Sequence, residues 1–175
     1  KDSESDLDTA RKILKVNHAG EFGAINIYTA QIHVCKIIRP GCVPLLEGFL
    51  EDEKNHLMTF WNEIQRRNGT KCKSYWLCGV GGYAMGIFSA LLGRKGVMAC
   101  TWAVESVVVE HLKQQLIYLD GKSDIYAYKA VKAILEDEEH HRDTGLNEGG
   151  KNALYLPLRL LISGFTEAVI RFGMR

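Results

Sequence analysis

The sequence predicts an all-α fold, a four-helix bundle core with additional apolar helices, and three observations carry that reading. Prolines number only three in 175 residues, and no run alternates apolar and polar positions as a strand would. Apolar residues instead recur three, four and seven apart over long stretches, the period of a helix with one buried face. Four of those stripes are interrupted by a glutamate on the face that should meet the core. The length supports one domain with a single core, read as residues 1–175 with 1–8 as a flexible lead-in.

Five helical segments follow in order. The first is expected from about Asp8 to Ile38, stopped by Pro40-Gly41. The second covers Val43 to Arg67 and ends at Asn68-Gly69, a C-terminal stop. The third runs from Ser74 to about Leu119, with a bend near Gly93 or Gly96, until Asp120-Gly121 breaks it. The fourth starts at Ser123, an N-cap candidate, and ends near Gly145. The fifth spans Asn152 to Phe172, with Pro157 in its first turn, where proline is tolerated.

Composition narrows the function classes. Net charge is +1 and the cations are scattered, so the basic stripe of a nucleic-acid binder is missing. Five cysteines with no C-x-x-C pair make neither a disulfide framework nor a zinc or redox motif, and they point to a reducing compartment. The chain begins at Lys1, which leaves room for an upstream targeting segment.

The interrupted stripes carry the chemistry. Leu14, His18, Glu21, Ile25, Tyr28 and Ile32 share one face of the first helix; Phe49, Glu53, His56 and Phe60 share one of the second. Met98, Trp102, Glu105 and Val109 follow on the third, and Val131, Ile134, Glu138 and His141 on the fourth. Ionised carboxylates buried without partners are strongly destabilising, so four that converge require positive charge. Two divalent cations match four carboxylates, and two neutral imidazoles complete the set. The Glu-x-x-His spacing places both side chains on one helical face, within reach of one ion. Either pair alone is weak, but each is preceded by a stripe glutamate, Glu21 by 32 residues and Glu105 by 33, so a half-site repeats. That arrangement matches the ligand template of ferritin-like two-metal bundles, and Glu21, Glu53, His56, Glu105, Glu138 and His141 are the candidate ligands. Oxygen-rich ligation with two imidazoles suits iron or manganese better than zinc or copper, and iron is favoured because a ferrous pair can reduce dioxygen.

Residues 74–93 carry no charge. By length the segment could span a bilayer, but one crossing would leave the two half-sites on opposite sides of the membrane. Two readings remain: a core helix with close glycine packing, or an apolar face lying in the membrane interface, with Arg94 and Lys95 meeting anionic headgroups.

Particular motifs resemble one family. His18-Ala19-Gly20-Glu21-Phe22-Gly23-Ala24 with Ile27-Tyr28, Asp52-Glu53-Lys54-Asn55-His56-Leu57, Ala103-Val104-Glu105 and Asp137-Glu138-Glu139-His140-His141 are similar to the ligand motifs of the demethoxyubiquinone hydroxylases of ubiquinone biosynthesis. The likeness runs from about Arg11 to the C-terminus. It implies a ferritin-like bundle peripheral to a membrane, the matrix side of the mitochondrial inner membrane or the bacterial cytoplasmic membrane. It implies a monooxygenase that uses two irons and dioxygen to hydroxylate the ring of a polyprenyl quinone. Glu21 and Glu105 would be terminal ligands, Glu53 and Glu138 bridging ones, and His56 and His141 would each hold one iron. Tyr28 and His111 are candidates for the surroundings of the metals. Family members often carry two histidines and a tyrosine where this chain has Glu110, His111 and Leu112, which puts a tyrosine role there in doubt. NADH is the expected ultimate electron donor, although no Rossmann or flavin unit is legible to receive it. A lipid-binding partner protein, other enzymes of the pathway and a homo-oligomer are the expected associations, and nucleic acid is not. Two other functions compete with this one. A ferroxidase, manganese catalase or peroxidase would not need the apolar surface. A non-enzymatic lipid-binding scaffold with structural metal would be inert to oxygen.

Overall fold

A computed structural model describes residues 4–175, so residues 1–3 of the expected lead-in lie outside the described residues. The chain forms six α-helices: α1 Glu4–Ile38, α2 Val43–Arg66, α3 Tyr75–Leu91, α4 Arg94–Leu119, α5 Ile125–Gly145 and α6 Leu156–Met174. α1 begins at Glu4 rather than Asp8. The expected third helix is two, because Gly93 adopts φ +81°, a left-handed conformation that breaks the ladder between α3 and α4. α5 is capped by Asp124 and not Ser123: the Asp124 carboxylate accepts from the Ala127 N–H at 3.0 Å.

Chain reversals follow local chemistry. Pro44 occupies the first turn of α2, where its missing N–H is harmless. α2 stops because Asn68 takes φ +51°, allowing the Gly69 N–H to reach the Ile64 carbonyl and the Asn68 N–H the Gln65 carbonyl. Arg67 then clamps Asp124 and Glu63, tying the end of α2 to the start of α5.

Two hairpins, α1–α2 and α4–α5, pack into the four-helix core; α3 lies along α1, and α6 along α4. The close approach of α3 depends on Gly82 and Gly86. A Cβ on Gly82 would lie 2.4 Å from the Gly23 carbonyl oxygen, and one on Gly86 2.4 Å from that of Ile27. The opposite face of α3, with Trp76, Val80, Phe88 and Leu91, stays exposed, as do Leu154, Leu160 and Leu161 around α6. The expected close glycine packing therefore holds for one face of the apolar segment, while its other face is exposed. Arg94 is engaged by Glu148 and Cys42 and is not a free headgroup contact. Among the described residues one helical stretch, Ala153–Met174, is long and apolar enough to cross a membrane.

The interior is layered. One apolar cluster includes Tyr28, Leu46, Phe49, Met98 and Ile162; the other includes Leu14, Phe60, Leu112, Val131 and Ile134. Between them lies a polar layer.

Candidate metal centre

All six candidate ligands meet in that layer, and none is more than 5% exposed. They divide into two overlapping groups: Glu21, Glu53, His56 and Glu138, and Glu53, Glu105, Glu138 and His141. Within each, one ligand atom from every residue lies within 4.8 Å of the others. Glu53 and Glu138 belong to both groups.

Nδ1 of each imidazole points into the cluster. His56 Nδ1 lies 3.1 Å from Glu138 Oε1 and 3.7 Å from both Glu21 Oε2 and Glu53 Oε2. His141 Nδ1 lies 3.1 Å from Glu53 Oε1 and 3.6 Å from Glu138 Oε2. The outward nitrogens are held across hairpins. His141 Nε2 is 3.0 Å from Asp52 Oδ2, and His56 Nε2 is 3.0 Å from Asp137 Oδ2. Phe49 packs on the His141 ring with centroids 4.3 Å apart. Tyr28, buried, donates from its hydroxyl to Glu105 Oε1 at 2.9 Å.

Burial, then repulsion from Glu138 and Glu53, raises the Glu21 and Glu105 carboxyls well above the usual carboxylate range. Burial pushes Glu53 the same way, but the imidazoles of His141 and His56 beside it outweigh burial and hold Glu53 low. Burial opposes a charge on His56; its hydrogen bond with Glu138 and the nearby Glu21 and Glu53 carboxylates prevail and raise it well above normal. For His141 the adjacent Glu138 and Glu53 carboxylates overcome burial and lift it to about 11. Imidazolium protons are thus the internal counter-charge of a dense carboxylate nest. Metal cations would fill that electrostatic role better, because several donor atoms have no hydrogen-bond partner among the described residues: both Glu53 oxygens, Glu138 Oε2 and His141 Nδ1. The donor set of four carboxylates and two imidazoles fits two hard or borderline divalent ions.

His111 stands apart from the cluster. Its Nε2 lies 2.8 Å from Glu167 Oε2 of α6, and its side chain lines a small cavity that Glu21, Glu53, Glu105 and Glu138 also line. Leu112 is packed in the lower core and has no access to that cavity. An apolar groove between α1, α3, α4 and α6 shares Val16, Gly20, Ala24, Val104, Val108 and Ile170 with it, and so leads onto the carboxylates. Asp52, Asp137 and Glu167 are site residues that sequence reasoning missed. The signal for the first two was present: an aspartate immediately precedes each Glu-x-x-His pair.

Residues 8–173 match the family model described as ubiquinone biosynthesis protein COQ7. A rat protein named NADPH-dependent 3-demethoxyubiquinone 3-hydroxylase, mitochondrial, is 35% identical over 94% of this chain and 76% of its own length. Its namesake from Caenorhabditis elegans is 36% identical over 86% of this chain and 82% of its own length. The 3-demethoxyubiquinol 3-hydroxylase of Rhodospirillum rubrum is 34% identical, with 90% and 72% covered.

Proposed function

The chain belongs to the COQ7 family of ubiquinone biosynthesis proteins, and from that premise we propose that its buried carboxylate–histidine layer is a di-iron centre that hydroxylates the ring of a demethoxyubiquinone-type polyprenyl quinone. The chain is a hydroxylase of ubiquinone biosynthesis; the metals, their number and the ligand roles are the proposal. One observation carries it: two four-residue ligand groups overlap on Glu53 and Glu138.

In this reading Glu53 and Glu138 would hold both ions, Glu21 and His56 would complete one site, and Glu105 and His141 the other. Two ferrous ions held there would supply the electrons and Lewis acidity that activate dioxygen. The protein's own contribution is positional. Asp52 and Asp137 fix each imidazole with its Nε2 outward, leaving Nδ1 to bind. Tyr28 fixes one oxygen of Glu105 and leaves the other for metal. Phe49 and the apolar walls at Val104 and Val108 exclude bulk water from the reacting ring. His111 with Glu167 closes the outer wall of the cavity.

The substrate route follows the apolar groove. A separate apolar cleft, lined by Phe88, Leu92, Leu154 and Leu161, lies farther along α3 and α6 beside the exposed faces. A quinone ring at the carboxylates with its tail in this groove and the surrounding bilayer accounts for those faces, and makes the protein peripheral to a membrane. Mitochondrial relatives support a mitochondrial location, and the bacterial relative leaves the bacterial cytoplasmic membrane as the alternative. The reductant is a reduced nicotinamide; the relatives' names favour NADPH over the NADH expected from sequence.

Hydroxylation inserts one oxygen atom into a ring C–H bond and releases the other as water, consuming two electrons and two protons. The test is therefore isotopic. Iron-loaded protein, reduced without oxygen and then given heavy-isotope dioxygen with a short-tailed substrate, should yield a product carrying one labelled oxygen. Dioxygen consumption with no oxygenated quinone would overturn the reading in favour of a ferroxidase.

A further inference from the structure

A cleft of about 320 Å³ at the end of the bundle is lined by Lys12, Lys15, Lys71, Lys73 and Arg175, with no acidic side chain in its wall. On a protein of net charge +1 that is a concentrated positive field. It adjoins a second cleft of about 360 Å³, which shares Lys12 and Lys15 and adds Arg11, the carboxylate of Asp8, and Arg67, itself paired with Glu63 and Asp124. Lys12 pairs with Asp8, but Lys15, Lys71, Lys73 and Arg175 form no ion pair among the described residues. Lys71 lies over the Tyr75 ring at 4.2 Å and Lys73 over Phe172 at 4.7 Å, so aromatic faces hold both cations. Converging like charges held in this way favour an anion with several charges of its own.

The position of the cleft narrows the ligand. Lys15 is followed by Val16, which lines both the apolar groove and the carboxylate cavity. Gly173, in the cleft wall, lies one helical turn beyond Ile170, which also lines both. An elongated molecule anchored by phosphates in the cleft could therefore direct its other end toward the bound ring. We propose that this cleft binds the phosphate groups of NADPH, a proposal that rests on the hydroxylase reading above because that reading requires a reductant. Relatives carry NADPH dependence in their names. The glycines of α3 lie inside a helix, packed on α1 and α6, and present no open backbone nest to a diphosphate. Side-chain cations must do the recognising, and the 2′-phosphate gives NADPH more to recognise than NADH.

The test is a titration of the full metal-loaded chain with NADPH, followed by the fluorescence of the reduced nicotinamide at low and raised salt. Binding should saturate, weaken with salt, and exceed that of NADH. K15E and K73E should each weaken it about tenfold, while K15R and K73R retain it. R175E, at an exposed residue of the cleft wall, should weaken it in the same direction. Metal content, measured in parallel, should not change. Wild-type NADPH affinity in correctly folded K73E and R175E would overturn the proposal. So would loss of phosphatidylcholine–phosphatidylserine vesicle binding in those variants with NADPH affinity intact, which would assign the cleft to lipid headgroups. Charge-dependent NADPH binding by a protein that fails to hydroxylate quinone supports the cleft and counts against the hydroxylase reading alone.

Discussion

Asp52 Oδ2 lies 3.0 Å from Nε2 of His141, a histidine carried by the opposite helical hairpin. Asp137 repeats the relationship toward His56 at the same distance. Each aspartate is the immediate neighbour of a candidate ligand on its own helix, so each hairpin orients the imidazole of the other. The two half-sites are thereby locked in register.

D52A and D137A should each lower metal affinity by about 10–100-fold without abolishing binding, because the imidazole remains but loses its fixed tautomer and orientation. Competition against a chelator of known affinity measures this. Affinities equal to wild type would mean that the aspartates serve only as surface contacts, which their partial exposure permits.

Metal-free protein should become less stable as pH rises from about 5 to 9. Glu21 and Glu105 have raised folded-state values, so their stabilising contribution is complete below about 4.5 and is lost as pH climbs through the folded values. His56 and His141 are also raised, and theirs is complete below about 6.5 and declines toward the folded values, about 11 for His141. Glu53 is held low, so its contribution is constant across this window and is lost only in acid. Metal binding displaces these protons and strengthens with pH. The gap in Tm between loaded and metal-free protein should therefore widen from acid to alkaline pH. A gap that narrows or stays constant would show that the carboxylates do not share one nest.

M85D and F88D should weaken vesicle binding and turnover of long-tailed quinone, while sparing a short-tailed analogue and the iron content. Met85 lines the inner groove and Phe88 the separate apolar cleft farther along α3. Equal loss with long- and short-tailed substrates would reduce this surface to packing.

The parts of this protein that were legible in sequence are the periodic ones. Glu21, Glu53, His56, Glu105, Glu138 and His141 were visible because each interrupts an apolar stripe at helical spacing, and the structure brings all six together. Gly93 or Gly96 is expected from sequence only to bend one helix; the left-handed φ of Gly93 separates two. The crossed Asp52 and Asp137 bonds and the His111–Glu167 contact join helices distant in sequence. Such bonds leave no period to read. Ser123 and Asp124 are both acceptable caps by residue type, and only backbone geometry chose Asp124.

Anaerobic titration with ferrous ion counts the ions that the two shared carboxylates hold in one centre. Wild type should bind two irons per chain. E53A and E138A should each lose most of both, because each removes a ligand common to the two groups. H111A, outside both groups, should still bind two. Wild-type stoichiometry in folded E53A and E138A, or a single iron in the wild type, would contradict the account.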